Sequence, residues 1–345
     1  MSASPATTAP VAAPALGRRA VGLALALVAL AVAVASSLAF GSLSIPLDDV
    51  VRAFTAPDGS DAQVVVTELR VPRTIVGALV GAALGAAGAL MQGVTRNPLA
   101  DPGILGINAG AALAVVIAIS AFGVSSVGIY AAFAMVGAGI TAVLVFALGG
   151  SGRGGATPVK LALAGAVLAA LLVSVTSAVL VFETDTLDEF RFWIVGSIAG
   201  RDTSVALGVL PFIAVGMLIA LVAGRWLNAL ALGDDVATAL GQRVALARGL
   251  SALGFVLLAG GAVAAAGPIA FIALTVPHVA RAICGPDYRW IVPYSIVLGA
   301  TLLLGADVLG RLVARPGELE VGVVSAVIGA PFFIWLIRRR EVTEL

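Results

Sequence analysis

Residues 68–106 read ELRVPRTIVGALVGAALGAAGALMQGVTRNPLADPGILG, and the reading of this stretch decides the fold. Its apolar run at 72–93 is bounded by Arg70 and Arg73 on one side and Arg96 on the other. A helix that crosses a bilayer needs about 20 mostly apolar residues. Glycines 77, 81 and 85 recur at every fourth place, with Gly88 close by. Small residues at that spacing let two backbones approach closely in lipid, where apolar burial alone gives helices little reason to associate. The stripe fits tight packing within one subunit, and it also fits a subunit interface or a pathway.

Outward from this stretch the chain repeats the same character. Of its 345 residues, 60% are apolar and 11% charged, and the mean hydropathy is +1.11. A soluble globule carries about 25% charged residues, so this composition excludes one. Ten apolar segments of spanning character lie at 20–40, 72–93, 103–122, 127–149, 159–182, 203–223, 245–266, 268–283, 291–313 and 321–338. None alternates strictly between apolar and polar residues, which disfavours a transmembrane barrel. The eighth is short, and Gly267–Pro268 separates it from the seventh, leaving open one long bent segment. The expectation is an all-α, polytopic membrane protein of about ten helices. Residues 17–345 form a single transmembrane domain, and residues 1–16 form a disordered cytoplasmic tail. The run after Arg18–Arg19 is longer than a usual signal core and reads as an uncleaved first helix.

Charge placement gives the orientation. With both termini cytoplasmic, 13 basic residues fall inside and 7 outside, while acidic residues divide 6 to 12, with Asp307 inside a span. That is the positive-inside bias. The net charge of +1 shows no basic field that would suit nucleic acid. An ion-coupled carrier needs ionisable groups within its spans. Asp307 is the main one here, and Arg311 lies one turn further, where an i,i+4 pair can form. One cysteine, Cys284, and one histidine, His278, exclude a disulfide framework and a multi-histidine metal site. Both read as packed structural residues. Lys160 is the sole lysine, and no Gly-Lys-Ser/Thr phosphate loop surrounds it. The chain therefore reads as non-catalytic, with no cofactor of its own.

Three polar stretches are specific rather than merely apolar. The first is Glu68–Arg73 with Met91–Gly106. The second is Leu227–Asp235 with Ala239–Gly241. The third is Gly267–Ile272 with Pro277-His278 and Arg281, resumed in Pro316–Leu319 and Gly329–Phe333. Together, over roughly residues 60–340, they resemble the FecCD-type permease family, the membrane subunits of type II ABC importers for iron–siderophores, haem or cobalamin. The resemblance implies a ferric siderophore as cargo, with haem or cobalamin as alternatives on the same scaffold. A secondary carrier is the competing class. The resemblance also implies partners: two copies of an ATPase subunit that uses ATP and Mg, an extracytoplasmic substrate-binding protein, and a second permease in a homodimer or related heterodimer. The setting would be the cytoplasmic membrane of a bacterium, in contact with its lipid.

The residues themselves can bear those roles. Asp234 and Asp235 favour a helix N-terminus, and Gly241 suits its end. The resulting short amphipathic helix could rest on lipid. The resemblance makes it the element that docks the ATPase, through Leu230, Leu232, Gly233, Asp234, Asp235, Val236, Leu240 and Gly241. Arg70, Arg73 and Arg311 lie at outer helix ends, where guanidinium groups suit bidentate pairing with carboxylates. The resemblance makes them receivers of acidic groups on the binding protein, although simple anchoring of helix ends would use them as well. For the pathway it implies cytoplasmic constrictions at Asn97 and Leu99 and at Thr157, Pro158 and Leu163, with an outer gate at Thr184. Pro158 and Glu183 stand where some relatives have small polar residues, so the gates are the part least fixed by the resemblance.

Overall fold

The structure is a computed structural model that describes residues 16–124, 126–151 and 157–339. The expected tail at 1–16 lies outside the described residues except for Leu16. Helix α1 (Leu16–Ala39) is followed by α2 (Leu47–Thr55), α3 (Asp61–Val64), a wide turn at Val65–Arg70 and α4 (Val71–Thr95). A one-turn 3₁₀ helix at Pro102–Leu105 leads to α5 (Ile107–Phe122), α6 (Val127–Gly150), α7 (Pro158–Phe182) and α8 (Thr184–Ile194). Then come α9 (Thr203–Ala231), α10 (Asp234–Ala239), α11 (Val244–Ala266), α12 (Ile272–Cys284), α13 (Tyr288–Val313) and α14 (Val321–Arg339).

Among the described residues, seven helices are long and apolar enough to cross a membrane, and α5, α12 and α14 are shorter apolar ones. These ten coincide with the ten apolar segments of the sequence. The seventh and eighth are separate helices rather than one bent one. Gly267 (φ 73°) and Phe271 (φ 69°) both adopt left-handed backbone between α11 and α12, which no continuing helix allows. Glycine supplies that conformation without penalty at 267.

Helix α4 is the hub, buried along most of its length against α9, α11, α12 and α13. Its glycine stripe explains how. A Cβ on Gly81 would sit 2.5 Å from the Gly299 carbonyl oxygen of α13, and one on Gly85 would collide with the Ser295 carbonyl. The two helices thus touch backbone to backbone, and the stripe packs within the subunit. By contrast, α1 and α7 have only 17% of their spans buried and lie at the periphery.

Two ends of the bundle follow from the alternation of these helices. One end gathers Arg70, Arg73 and Arg311 with the α1–α2 connection, α2 and α8. The other gathers Arg19, Arg96, the loop at 285–287 and α10. Pro72 shapes the first end. It lacks an N–H and its ring crowds the Glu68 carbonyl one turn back, and the turn before it widens to π-helical spacing. A small second core of Ile45, Val50, Ala53 and Val66 seats α2 on that turn.

Candidate functional site

At the arginine end, Asp307 of α13 is fully buried and serves two cations. Arg73 donates to it from Nε (3.1 and 3.2 Å) and Nη2 (2.7 Å), and Arg311 donates from Nη2 at 2.8 Å. Arg311 also holds the carbonyls of Ser37 and Phe40, at 3.1 and 2.7 Å. Arg70 donates to the carbonyls of Leu38, Ala39 and Leu43. Arg315 completes the set on the carbonyl of Gly41. These carbonyls belong to the end of α1 and the connection after it, where a helix leaves its last C=O groups without partners. The arginines therefore satisfy a helix end and pin it to α4 and α13.

Only part of this network reaches the surface. The second Arg73 nitrogen, Nη1, donates to Glu318 Oε2 at 2.6 Å, and Ser42 Oγ donates to Glu318 Oε1 at 2.9 Å. Burial pushes the Glu318 carboxyl up, but the Arg73 bond and charge prevail, aided by Ser42, and hold it below the ordinary glutamate value. A recess of about 360 Å³ opens here, lined by Arg70, Arg73, Arg201 and Arg311 with Glu68, Asp202 and Glu318. Arg201 was not singled out from the sequence. Its guanidinium value is lowered by burial, with Glu320 acting against that. With Asp307 beneath them, the four guanidinium groups are matched by four carboxylates, and Arg73 and Arg201 are the two that stay partly exposed. The three arginines singled out from sequence therefore come together, but Arg70 and Arg311 are buried and committed to backbone carbonyls.

At the opposite end, α10 stands on a tight turn with Gly233 (φ 107°) before it and Gly241 (φ 80°) after it. Gly241 N–H donates to the Thr238 carbonyl and Gln242 N–H to that of Ala237, both at 2.9 Å, the two bonds of a Schellman stop. Leu232, Val236 and Leu240 are exposed, whereas Leu230 and Ala237 are buried and anchor the element. Asp234 and Asp235 occupy the first turn. Asp235 is exposed. Asp234 is held by two arginines that sequence reading did not connect to it, Arg96 at the end of α4 and Arg248 of α11 at 2.9 Å. Nearby, Asp287 accepts from Asn228 Nδ2 (2.6 Å) and Arg289, and lies 3.6 Å from Arg19. Burial would raise the Asp287 carboxyl, but the Arg289 and Asn228 bonds outweigh it and bring the value to about 2.

Toward this same end, a cavity of about 420 Å³ opens beside the last turn of α4, lined by Asn97, Leu105, Phe146, Val159, Leu163 and Phe255 among others. Of the six gate candidates, Asn97 and Leu163 share this wall. Leu99 lies half-exposed outside the lining, its N–H bonded to Asn97 Oδ1 at 2.9 Å. Thr157 caps α7 by accepting from the Lys160 N–H. Pro158 is the first residue of α7, and its side chain lies outside the described ones. Thr184 begins α8 at the arginine end. His278 Nδ1 pairs with the Leu274 carbonyl at 3.1 Å and the ring meets Phe333 edge-on. Cys284 is buried.

Ten apolar helices among the described residues, with an arginine-lined recess at one end and a braced, partly exposed short helix at the other, define a multi-pass helical membrane protein. The profile of the FecCD transport family matches residues 29–339, and the chain belongs to that family. The family comprises the non-catalytic permease subunits of ABC transporters, which work with a separate ATPase, a binding protein and a second permease. The ferric enterobactin transport system permease protein FepD of Escherichia coli (strain K12) is 44% identical over 340 residues, covering 99% of this chain and 98% of that protein. The Fe(3+)-citrate import system permease protein YfmD of Bacillus subtilis (strain 168) is 41% identical, covering 88% of this chain and 90% of that protein. A solved structure assigned to the metal-chelate type of ABC transporter, in an inward-facing conformation, superposes with a TM-score of 0.81 at 27% identity. It covers 93% of this chain and all of that one.

Proposed function

We propose that this chain is the permease subunit of a bacterial importer that moves a ferric siderophore across the cytoplasmic membrane, driven by ATP hydrolysed on a partner. The observation that carries the reading is the pairing of two unlike ends on one helix hub. The exposed Val236 of the braced short helix α10, with Leu232 and Leu240 flanking it, offers an apolar contact for an ATPase. Arg73 and Arg201, the partly exposed arginines of the recess, offer a seat for carboxylates of a binding protein. Iron-chelate names among the relatives supply the cargo. The charge bias of the loops supports a cytoplasmic side for both termini and α10. Residues 17–345 act as one transmembrane unit, pairing with a second copy or a related permease. The cargo path then runs along the wall bearing Asn97 and Leu163, with Leu99, Thr157, Pro158 and Thr184 at its constrictions.

The test is uptake by proteoliposomes holding the permease, ATPase and binding protein. Radiolabelled ferric enterobactin should accumulate only with ATP, and haem and cobalamin should not. Uptake driven by an ion gradient without ATP would defeat the ABC reading, and uptake of haem or cobalamin alone would defeat the cargo. Arg73→Glu should weaken binding-protein docking and flatten its salt dependence. Unchanged docking would remove the recess from the proposal.

A further inference from the structure

We propose that Arg96 is a positioning residue that transmits movement of α10 to the wall of the cavity bearing Asn97 and Leu163, with its ion pair to Asp234 as the link. The proposal rests on the reading of α10 as the ATPase contact. It starts from a backbone outlier. Arg96 closes α4 with φ 51°, and among the described residues only Phe271 shares positive φ without being glycine. A long side chain gains nothing from left-handed backbone that glycine would not adopt more readily, so such a residue persists only where its surroundings impose it.

The side chain supplies that imposition. Arg96 Nη2 donates to Asp234 Oδ1, the first residue of α10. Among the described residues Arg96 Nε is buried without a partner, and the ion pair with Asp234 is what holds this side chain. On its other side α10 is tethered through Arg248, which shares the same carboxylate oxygen. At six residues the helix is too short to bend, so a displacement of it reaches both arginines together.

The segment after Arg96 is stiff. Asn97 Oδ1 accepts from the Leu99 N–H (2.9 Å), the Asn97 carbonyl from the Ala100 N–H (3.1 Å), and Asp101 Oδ1 from the Gly103 N–H (2.8 Å). This run of turns carries Asn97, Ala100 and Leu105 into the cavity wall. Because consecutive turns are closed by hydrogen bonds, a pull on Arg96 displaces the wall instead of being absorbed by a flexible loop. Tilting α10 thus widens or narrows the cavity without any contact between the ATPase and the pathway itself.

The experiment uses the whole reconstituted importer, with radiolabelled ferric enterobactin as probe, and measures uptake per ATP hydrolysed alongside assembly of permease and ATPase. Arg96→Ala should assemble and hydrolyse ATP while uptake per ATP falls at least about tenfold, the scale of a typical coupling energy. Arg96→Lys, which keeps the charge, should recover most of the loss. Arg96→Gly suits the backbone and should fold at least as well as the parent, yet lose uptake per ATP to the same degree. Unchanged uptake per ATP in Arg96→Ala and Arg96→Gly overturns the proposal. So does failure of both to assemble, since Arg96 would then only hold α10 in place for docking. Leu240→Glu separates the underlying reading: if assembly and uptake ignore it, α10 is not the ATPase contact at all.

Discussion

Replacing Asp307 by Asn tests whether the charge cluster at the arginine end is an anchor of the fold. The carboxylate is fully buried and receives two nitrogens of Arg73 and one of Arg311, all within 3.2 Å. Asparagine keeps the volume but removes the negative charge. Its NH₂ group then faces guanidinium donors and can accept nothing from them. Arg73 retains Glu318, which is partly exposed, so its loss is cushioned. Arg311 retains the carbonyls of Ser37 and Phe40 but is left as a buried cation without a counter-ion. Breaking a buried pair from one side costs about 3–5 kcal/mol. The loss should be read by denaturant-induced unfolding in mixed micelles. A double-mutant cycle sharpens it: Arg311→Met should cost less in the Asp307→Asn background, because the cation it removes has already lost its partner. A loss below about 1 kcal/mol, the level of an exposed ion pair, would refute the reasoning, as would full additivity in the cycle.

Other expectations rest on the same contacts. Gly85→Leu forces a side chain into the Ser295 carbonyl and should abolish accumulation of folded protein. Gly139→Ala, with open space around it, should unfold no earlier than the parent on heating, since alanine favours a helix over glycine by about 1 kcal/mol. Leu232→Glu at the exposed tip before α10 should leave thermal unfolding unchanged while abolishing co-purification with the ATPase. Asp287, with its value lowered to about 2, contributes stability that is fully present above the ordinary aspartate value. That contribution falls away as pH drops from there toward about 2. Acid titration of unfolding should show it, and Asp287→Asn should remove that part of the pH dependence.

The sequence announced the spans because their signal is local: about 20 apolar residues in a row require no knowledge of partners. It also announced the Asp307–Arg311 pair, since four residues on a helix is one turn, and the structure places the two 2.8 Å apart. What it could not announce are meetings across the chain. Arg73 joins Asp307 from another helix, and Arg96 reaches Asp234 across four intervening spans. Nothing in the local pattern of either stretch specifies such a match. The arginines of the first end show the same limit differently. Their spacing advertised cations, but not that Arg70 and Arg311 would turn to carbonyls freed at the end of α1. The third apolar segment begins later than its run suggested, at Ile107 instead of 103, because Asp101 caps a 3₁₀ turn across Pro102 and Gly103. The amphipathic helices α2 and α8 do not stand out as elements in the sequence, being too short and too charged beside the spans.

The seam between α4 and α13 bears on how the chain is made. Gly81 and Gly85 fit against Gly299 and Ser295, yet most of the polypeptide separates the two helices. On emerging from the ribosome in order, α4 enters the bilayer long before its principal partner has been synthesised. Its glycine face must meanwhile meet lipid tails or provisional neighbours, and only the ninth span lets the seam close. Biogenesis of this protein is thus a wait followed by a docking. A chain halted before Tyr288 should hold α4 in the membrane but leave it accessible to quality-control proteases that the finished bundle excludes.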